Sequence, residues 1–302
     1  MPETISMTAV LAIFYIVFLG QILLLSVYYP HKICSRVRYV IEQFPPAEYP
    51  KLYPGTKDVE IAENLGRWLR KYIAFNYCIA ALGLFILIRM MITEYRPAFE
   101  GGDEIFVMFF FFLQMAPILY AEIKEYSYTK LLRENYKASK RTADLTPRHL
   151  FDYVSPVSLV VAILAYAAWI TVYLSTREFG VQPDVEIYGT LIGMTAVQGV
   201  FAMMVYKNIY GRKRNPYMTD EDRHLQNEVI ARVMLFASIG MSVFLTVTQM
   251  ADDYSFEIFD PVLTSLYMQY CAVFGMGIAL KTMQLDKMNF ENYRGDTAST
   301  KV

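Results

Sequence analysis

Six amide side chains stand inside stretches that are otherwise apolar: Gln21, Asn76, Gln114, Gln198, Gln249 and Gln269. Gln114 and Gln198 fall near the middle of their stretches and Gln269 somewhat off the middle. These three form the candidate intramembrane site. An amide in hydrocarbon is costly unless it is hydrogen-bonded, so each is expected to face a neighbouring helix or a wet cavity. Two roles fit. One is interhelical bonding, which contributes about 0.6 kcal/mol per bond on average in membranes. The other is recognition of a small solute. Pro117 lies three residues after Gln114 and frees a backbone carbonyl, which makes the third apolar stretch the expected place for a cavity.

Charged chemistry is confined to the ends of the apolar stretches. Glu63, Arg67, Arg223, His224 and Glu228 are the candidate interfacial set, the stock from which an enzyme acting on a lipid would have to draw. The three histidines, His31, His149 and His224, are each alone in sequence. A metal or hydroxylase centre needs several ligands converging on one ion, and no such grouping is present; no metal or cofactor site is expected. Arg89 is a cation inside an apolar stretch. It lies about one turn from the end, so it reads as an anchor reaching toward Glu94 or Asp103. Proton- or ion-coupled transport lacks the intramembrane carboxylate it normally uses. Cys34, Cys78 and Cys271 show no CxxC spacing and no disulfide pattern.

These residues are carried by seven stretches long enough to cross ~30 Å of hydrocarbon, which takes roughly 20 residues as a helix. The stretches cover 8–28, 72–93, 105–121, 153–174, 187–206, 233–250 and 262–280. The expected fold is an all-α integral membrane protein. It is one seven-helix bundle over 1–286 with helical cytoplasmic extensions, followed by a polar tail, 287–302, expected to fray.

The basic residues give the orientation. Segments 31–71, 122–152, 207–232 and 281–302 hold eight, seven, six and four Lys or Arg, which is 25 of the 28 in the chain. The alternate connections hold Arg96 and Arg177 and are otherwise acidic. Lysine and arginine near span ends stay on the cytoplasmic side, so the N-terminus is expected outside and the C-terminus inside. A bacterial-type inner (plasma) membrane is the expected location. The formal net charge of -1 conceals this polarisation, and no nucleic-acid-sized basic domain is present.

Between the spans, His31–Phe44 is expected to continue the first helix. Pro45, Pro46, Pro50 and Pro54 then impose an extended strip that carries Tyr49 and Tyr53. That strip is expected to dock on the basic turn near Arg212–Tyr217. Asp58 is expected to cap a helix lying under the bilayer before the second span. The third helix is expected to run on through Ser139, and Thr219 or Asp220 to cap the sixth. Small residues on span five (Gly189, Gly193 and Gly199), with Ser238, Gly240 and Ser242 on span six and Gly275 and Gly277 on span seven, predict close helix contact within the bundle. Met7–Val10 recurs as Met194–Val197, the trace expected of a 3+1+3 duplication such as sugar-efflux carriers use, although their proline-glutamine signature is absent.

Seven spans alone do not imply a retinal protein or a G-protein-coupled receptor. Lys281 sits at the end of the last span instead of its middle, and Asn215-Pro216-Tyr217 lies between spans. Three function classes remain. The leading one is a non-catalytic scaffold, accessory or sensory component that acts through its cytoplasmic loops, with the bilayer and a protein at its cytoplasmic face as partners and a homo-oligomer possible. The second is a carrier of a small solute or lipid with a polar intramembrane cavity. The third is a membrane enzyme on a hydrophobic substrate.

Overall fold

The computed structural model describes residues 7–54, 58–93, 95, 103–136, 148–177, 185–211, 213, 215–254 and 256–295. Among them every regular element is helical. The first apolar stretch is α1 (Met7–Leu23), continued by a π-helical turn (Leu24–Tyr28) into α2 (Tyr29–Gln43). Then come α3 (Asp58–Ile92), α4 (Asp103–Asn135), α5 (Pro156–Ser175), α6 (Val185–Tyr210) and α7 (Asp220–Asp253). The last stretch is α8 (Asp260–Ala272), a second π-helical turn (Val273–Gly277) and α9 (Ile278–Thr282). Seven of these helical rods are long and apolar enough to cross a membrane, and the chain is a multi-pass membrane protein.

Local chemistry sets where the rods begin. Ser155 caps α5: its Oγ accepts the Ser158 N–H at 3.1 Å, and Pro156 follows at the first helical position. Thr219, not Asp220, caps α7 by accepting the Asp222 N–H at 3.1 Å. Asp220, Glu221 and Asp222 then place negative charge at the positive end of that helix. The chain between Asp58 and the second span forms no separate helix under the bilayer. It is the first part of the single 35-residue α3, since nothing between Asp58 and Ile92 breaks the helix.

The rods form two groups. In the first, Phe14, Phe18 and Ile22 of α1 pack against Ile79, Ala80 and Leu87 of α3, Val107 and Phe110 of α4, and Val262 of α8. Gly83 makes this approach possible, because a Cβ there would run into Phe110 and Ile22. In the second group, α5 and α6 both lie on α7. Trp169, Tyr173 and Met194 fill their ends nearest the acidic connections; Tyr153, Val154, Ile209 and Ala231 fill the opposite ends. The seam between groups is α7 against α8. There Gly240 lies under the Tyr270 ring, the Tyr270 hydroxyl donates to Phe236 O at 2.7 Å, and Phe244 stacks on Tyr267 with ring centroids 4.3 Å apart. Lipid is as apolar as leucine, so such close packing, rather than escape from water, holds helices together here.

This corrects one expectation. A Cβ at Gly189, Gly193 or Gly199 would meet nothing within 4 Å. Close approach is made instead at Gly240, among the small residues expected on span six, and at Gly83 of α3. Spans one to three share their core with span seven, and spans four to six form the other group.

At the end of the bundle that carries the basic segments, the chain folds into a layer. Phe44 stacks on Phe290 at 4.1 Å, the Gly295 N–H donates to Glu48 O at 3.0 Å, and Arg294 lies over the Tyr49 ring. Asn215 donates to the Tyr293 hydroxyl at 2.6 Å, and Asn292 to Tyr217 O at 2.9 Å. The tail through Gly295 therefore does not fray. It is packed between the proline strip and the turn around Tyr217, and it mediates the contact expected between them. Tyr53 donates to Phe44 O and Tyr128 to Leu52 O, at 2.8 and 2.6 Å. Burial pushes the Tyr53 phenol up to about 12, and burial does the same to Tyr293. Arg212 and Arg214 of the basic turn lie outside the described residues, as do 137–147 beyond α4.

Candidate functional site

Gln21, Gln114 and Gln269 make interhelical bonds in the first helix group and Gln198 in the second, while Asn76 donates to Tyr72 O of its own helix at 2.8 Å. In the first, Gln21 of α1 donates to Gln114 Oε1 of α4 at 3.0 Å. Gln114 Nε2 in turn donates to Ser26 Oγ at 2.9 Å and to Gln21 O at 3.4 Å. Ser265 of α8 donates to Gln21 Oε1 at 2.6 Å. Ser26 stands five residues after Gln21, and the π-helical turn (Leu24–Tyr28) brings that spacing onto one face. Gln21, Gln114 and Ser265 have no exposed surface. Gln114 spends both its N–H groups and its carbonyl on neighbours. Gln269 donates to Val17 O at 2.9 Å and touches Gly20. The structure thus brings Gln114 and Gln269 to the same helix, α1, as interhelical ties, and Gln114, near Pro117, is fully buried in its network.

Gln198 belongs elsewhere. On α6, its Nε2 donates to Ser242 Oγ of α7 at 3.3 Å, and its Oε1 accepts from Ser238 at 2.6 Å. Ser242 donates on to Ser238 O. Nearby, the Tyr166 hydroxyl of α5 lies 2.6 Å from Thr195 Oγ1, which donates to Leu191 O.

Gln198, Ser238 and Tyr166 close one end of a cavity of about 800 Å³ between α5, α6 and α7. Its walls are Ala162 and Ile163 of α5, Phe201, Ala202 and Val205 of α6, and Met234 and Leu235 of α7. Leu150, Val154 and Ile209 close the other end, with Tyr206 and Tyr210 at the rim. Arg148 donates to Ile209 O at 3.3 Å beside this end. From Gln198 to Tyr210 is twelve residues of α6, about 18 Å at the rise of an α-helix. One leaflet of a ~30 Å hydrocarbon layer is of similar depth. The void lies between two packed clusters: Tyr166, Trp169 and Met194 bring α5 and α6 together toward the acidic end, and Tyr153, Val154 and Ile209 pack at the other. No run of polar residues announced it, since its walls read as ordinary span residues; the signal was Gln198 with Ala162 and Ala202, which is faint.

The described members of the interfacial set each have partners outside the set. Arg67 bonds Asn64 on its own helix at 2.6 Å, and Glu228 pairs with Arg232 on α7 at 2.5 Å. Arg223 donates to Gly211 O at 2.5 Å, and His224 packs on the Tyr153 ring at 4.7 Å. The Glu63 side chain lies outside the described residues, as do Glu94 and the Asp103 side chain proposed to meet Arg89. Among the described residues, no three His, Cys, Asp or Glu side chains group as metal ligands would. Arg177 at the acidic end donates to Gln249 at 3.2 Å and lies over the Tyr173 ring at 4.0 Å.

No family model matches the chain, and neither a curated protein nor a solved structure matches it.

Proposed function

We propose that this protein is a non-catalytic membrane component that holds a lipid, or another chain-like hydrophobic molecule, in the lateral groove between α5, α6 and α7. The observation that carries this is the 800 Å³ cavity: apolar along its walls, one leaflet deep, and ended by the amide of Gln198. Pockets for small molecules are mostly apolar with a few placed polar groups, and this one has that character. Gln198 Nε2 has one N–H engaged with Ser242, which leaves a second to meet a carbonyl or hydroxyl of the occupant. This reading selects the lipid-carrier class over transport of a polar solute, because Gln114 is fully buried and its hydrogen bonds are spent on its neighbours.

The same reading puts the basic end of the bundle in the cytoplasm of a bacterial-type cell, on the partition of 25 basic residues to one side. The helices that run past the bilayer at that end, α2 and α4, together with the docked tail, then form a rigid cytoplasmic platform. That platform supports the scaffold or accessory role as a second reading. A protein held through such a surface would sense the occupant of the groove through α7, which both lines it and carries Asp222 beneath the tail.

The test is retention of lipid through purification. Ala202→Trp fills the groove from α6. Native mass spectrometry of protein extracted from phosphatidylethanolamine and phosphatidylglycerol membranes should show a bound lipid that Ala202→Trp loses. Equal retention by the variant would remove the groove as a binding site.

A further inference from the structure

A second cleft lies in the other helix group, between α2 and α3, where these helices pass from the bilayer into the basic layer. It encloses about 250 Å³ and is lined by His31, Ser35 and Arg38 of α2 and by Arg70 and Tyr77 of α3, over a floor of Leu69 and Ile73. Among the described residues, neither Arg38 nor Arg70 makes a hydrogen bond or ion pair, and no carboxylate lines the cleft. The other arginines of this layer are engaged: Arg36 with Leu280 O and Met283 O, Arg133 with Lys213 O, Arg223 with Gly211 O, Arg232 with Glu228. Two arginines without a protein partner on one small cleft leave their guanidinium donors available to an anion.

The surroundings narrow the anion. His31 lies 2.6 Å from the Tyr77 hydroxyl, so when that hydroxyl donates to Nε2 the ring presents Nδ1–H as a further donor. Guanidinium groups match the oxygens of phosphate in paired geometry, better than any other common side chain. Tyr77 is exposed, and seven and eleven residues further along the same side of α3 Leu84 and Ile88 are exposed as well. Those residues continue the path of an acyl chain along the helix. The Tyr28 and Tyr77 rings mark headgroup depth, and Lys32 is already folded over Tyr28 at 5.7 Å. Basic pockets between membrane helices at this level are suited to anionic headgroups.

We propose that the α2–α3 cleft binds the phosphoryl group of an anionic phospholipid, with Arg38 and Arg70 as paired donors, His31 as a third, and the acyl chains lying along α3. This site is separate from the groove between α5 and α7 and stands or falls independently of it.

The experiment places the purified protein in phosphatidylcholine nanodiscs doped with phosphatidylglycerol and counts bound phosphatidylglycerol by native mass spectrometry after release. Either Arg38→Gln or Arg70→Gln should weaken binding roughly fivefold, and the pair more than tenfold. Arg38→Lys with Arg70→Lys should restore part of it, which separates recognition from misfolding. Three results would overturn the proposal. One is an equal loss from Lys124→Gln, a basic residue of the same layer outside the cleft. Another is equal retention of oleate in place of phosphatidylglycerol, since that anion lacks a phosphoryl group. The third is binding of glycerol phosphate in detergent with no retained phosphatidylglycerol, which would assign the cleft to a soluble ester.

Discussion

Gln114 and Gln198 have the same side chain at similar depth and opposite surroundings. Gln114 gives two donors and one acceptor to partners on α1 and the π-helical turn, all of them without exposed surface or nearly so. Removing it strands Gln21 Nε2 and Ser26 in hydrocarbon, where nothing replaces the lost bond. Gln198 is half-buried at the edge of a cavity, and the hydroxyls it meets have other recourse, since Ser242 already bonds its own helix. Gln114→Leu should therefore cost about 1–2 kcal/mol of stability, and Gln198→Leu well under half of that. Thermal unfolding of the detergent-solubilised variants checks this. Equal losses would mean that the Gln198 network is as structural as the Gln114 network, and the groove would lose its polar end.

At the level of elements, the decisive contacts are made by glycines that the local sequence does not rank above their neighbours. Gly240 sits under the Tyr270 ring at the seam between α7 and α8, while Gly193 looks away from the bundle. Gly240→Leu should separate the two helix groups and lower the unfolding temperature by many degrees, because the obstructing atoms belong to a ring held by its bond to Phe236 O. Gly193→Leu should leave the monomer unaffected. A loss at Gly193 comparable to that at Gly240 would show that α6 is covered by another copy or subunit. The long α7 matters for a related reason: it is the wall shared by α5, α6 and α8, so changes on its surface reach both groups.

Over the whole molecule, the polar layer at the basic end ties the two groups together independently of the spans. The strip joins α2 to α3 in the first group, the turn around Tyr217 leads into α7 of the second, and the tail lies between them. Asp222 accepts from Thr219 at 2.8 Å and from the Asn289 N–H at 3.4 Å, which fastens the start of α7 to the tail. Tyr49→Ser together with Phe290→Ser should free strip and tail at once, because each contributes a ring to the same stack with Phe44. Trypsin added to inside-out vesicles should then cut at Lys51 and Lys287 many times faster than in the parent, with insertion unchanged. Resistance in both proteins would place the basic end on the opposite side of the membrane, and equal fast cutting would mean the layer is not packed.

Span number and the existence of each rod were legible because they rest on sums over about twenty residues, which no single contact can reverse. The start of α7 was legible for a different reason: Thr219 needs only its own next residues to act as a cap. The destination of each helix face was not legible. Gly193 and Gly240 are identical in local sequence terms, and only the placement of Tyr270, thirty residues further on, makes one of them indispensable. Gln114 beside Pro117 reads as the mouth of a cavity until Gln21, Ser26 and Ser265 arrive from two other rods and that amide is buried in their network. The groove between α5 and α6 is an absence of contact, and Arg38 and Arg70, thirty-two residues apart, share a cleft only once α2 and α3 lie side by side. In a bilayer the apolar solvent does not distinguish helix from helix, so which rods meet, and what opens between them, is decided by shape and hydrogen bonding in three dimensions.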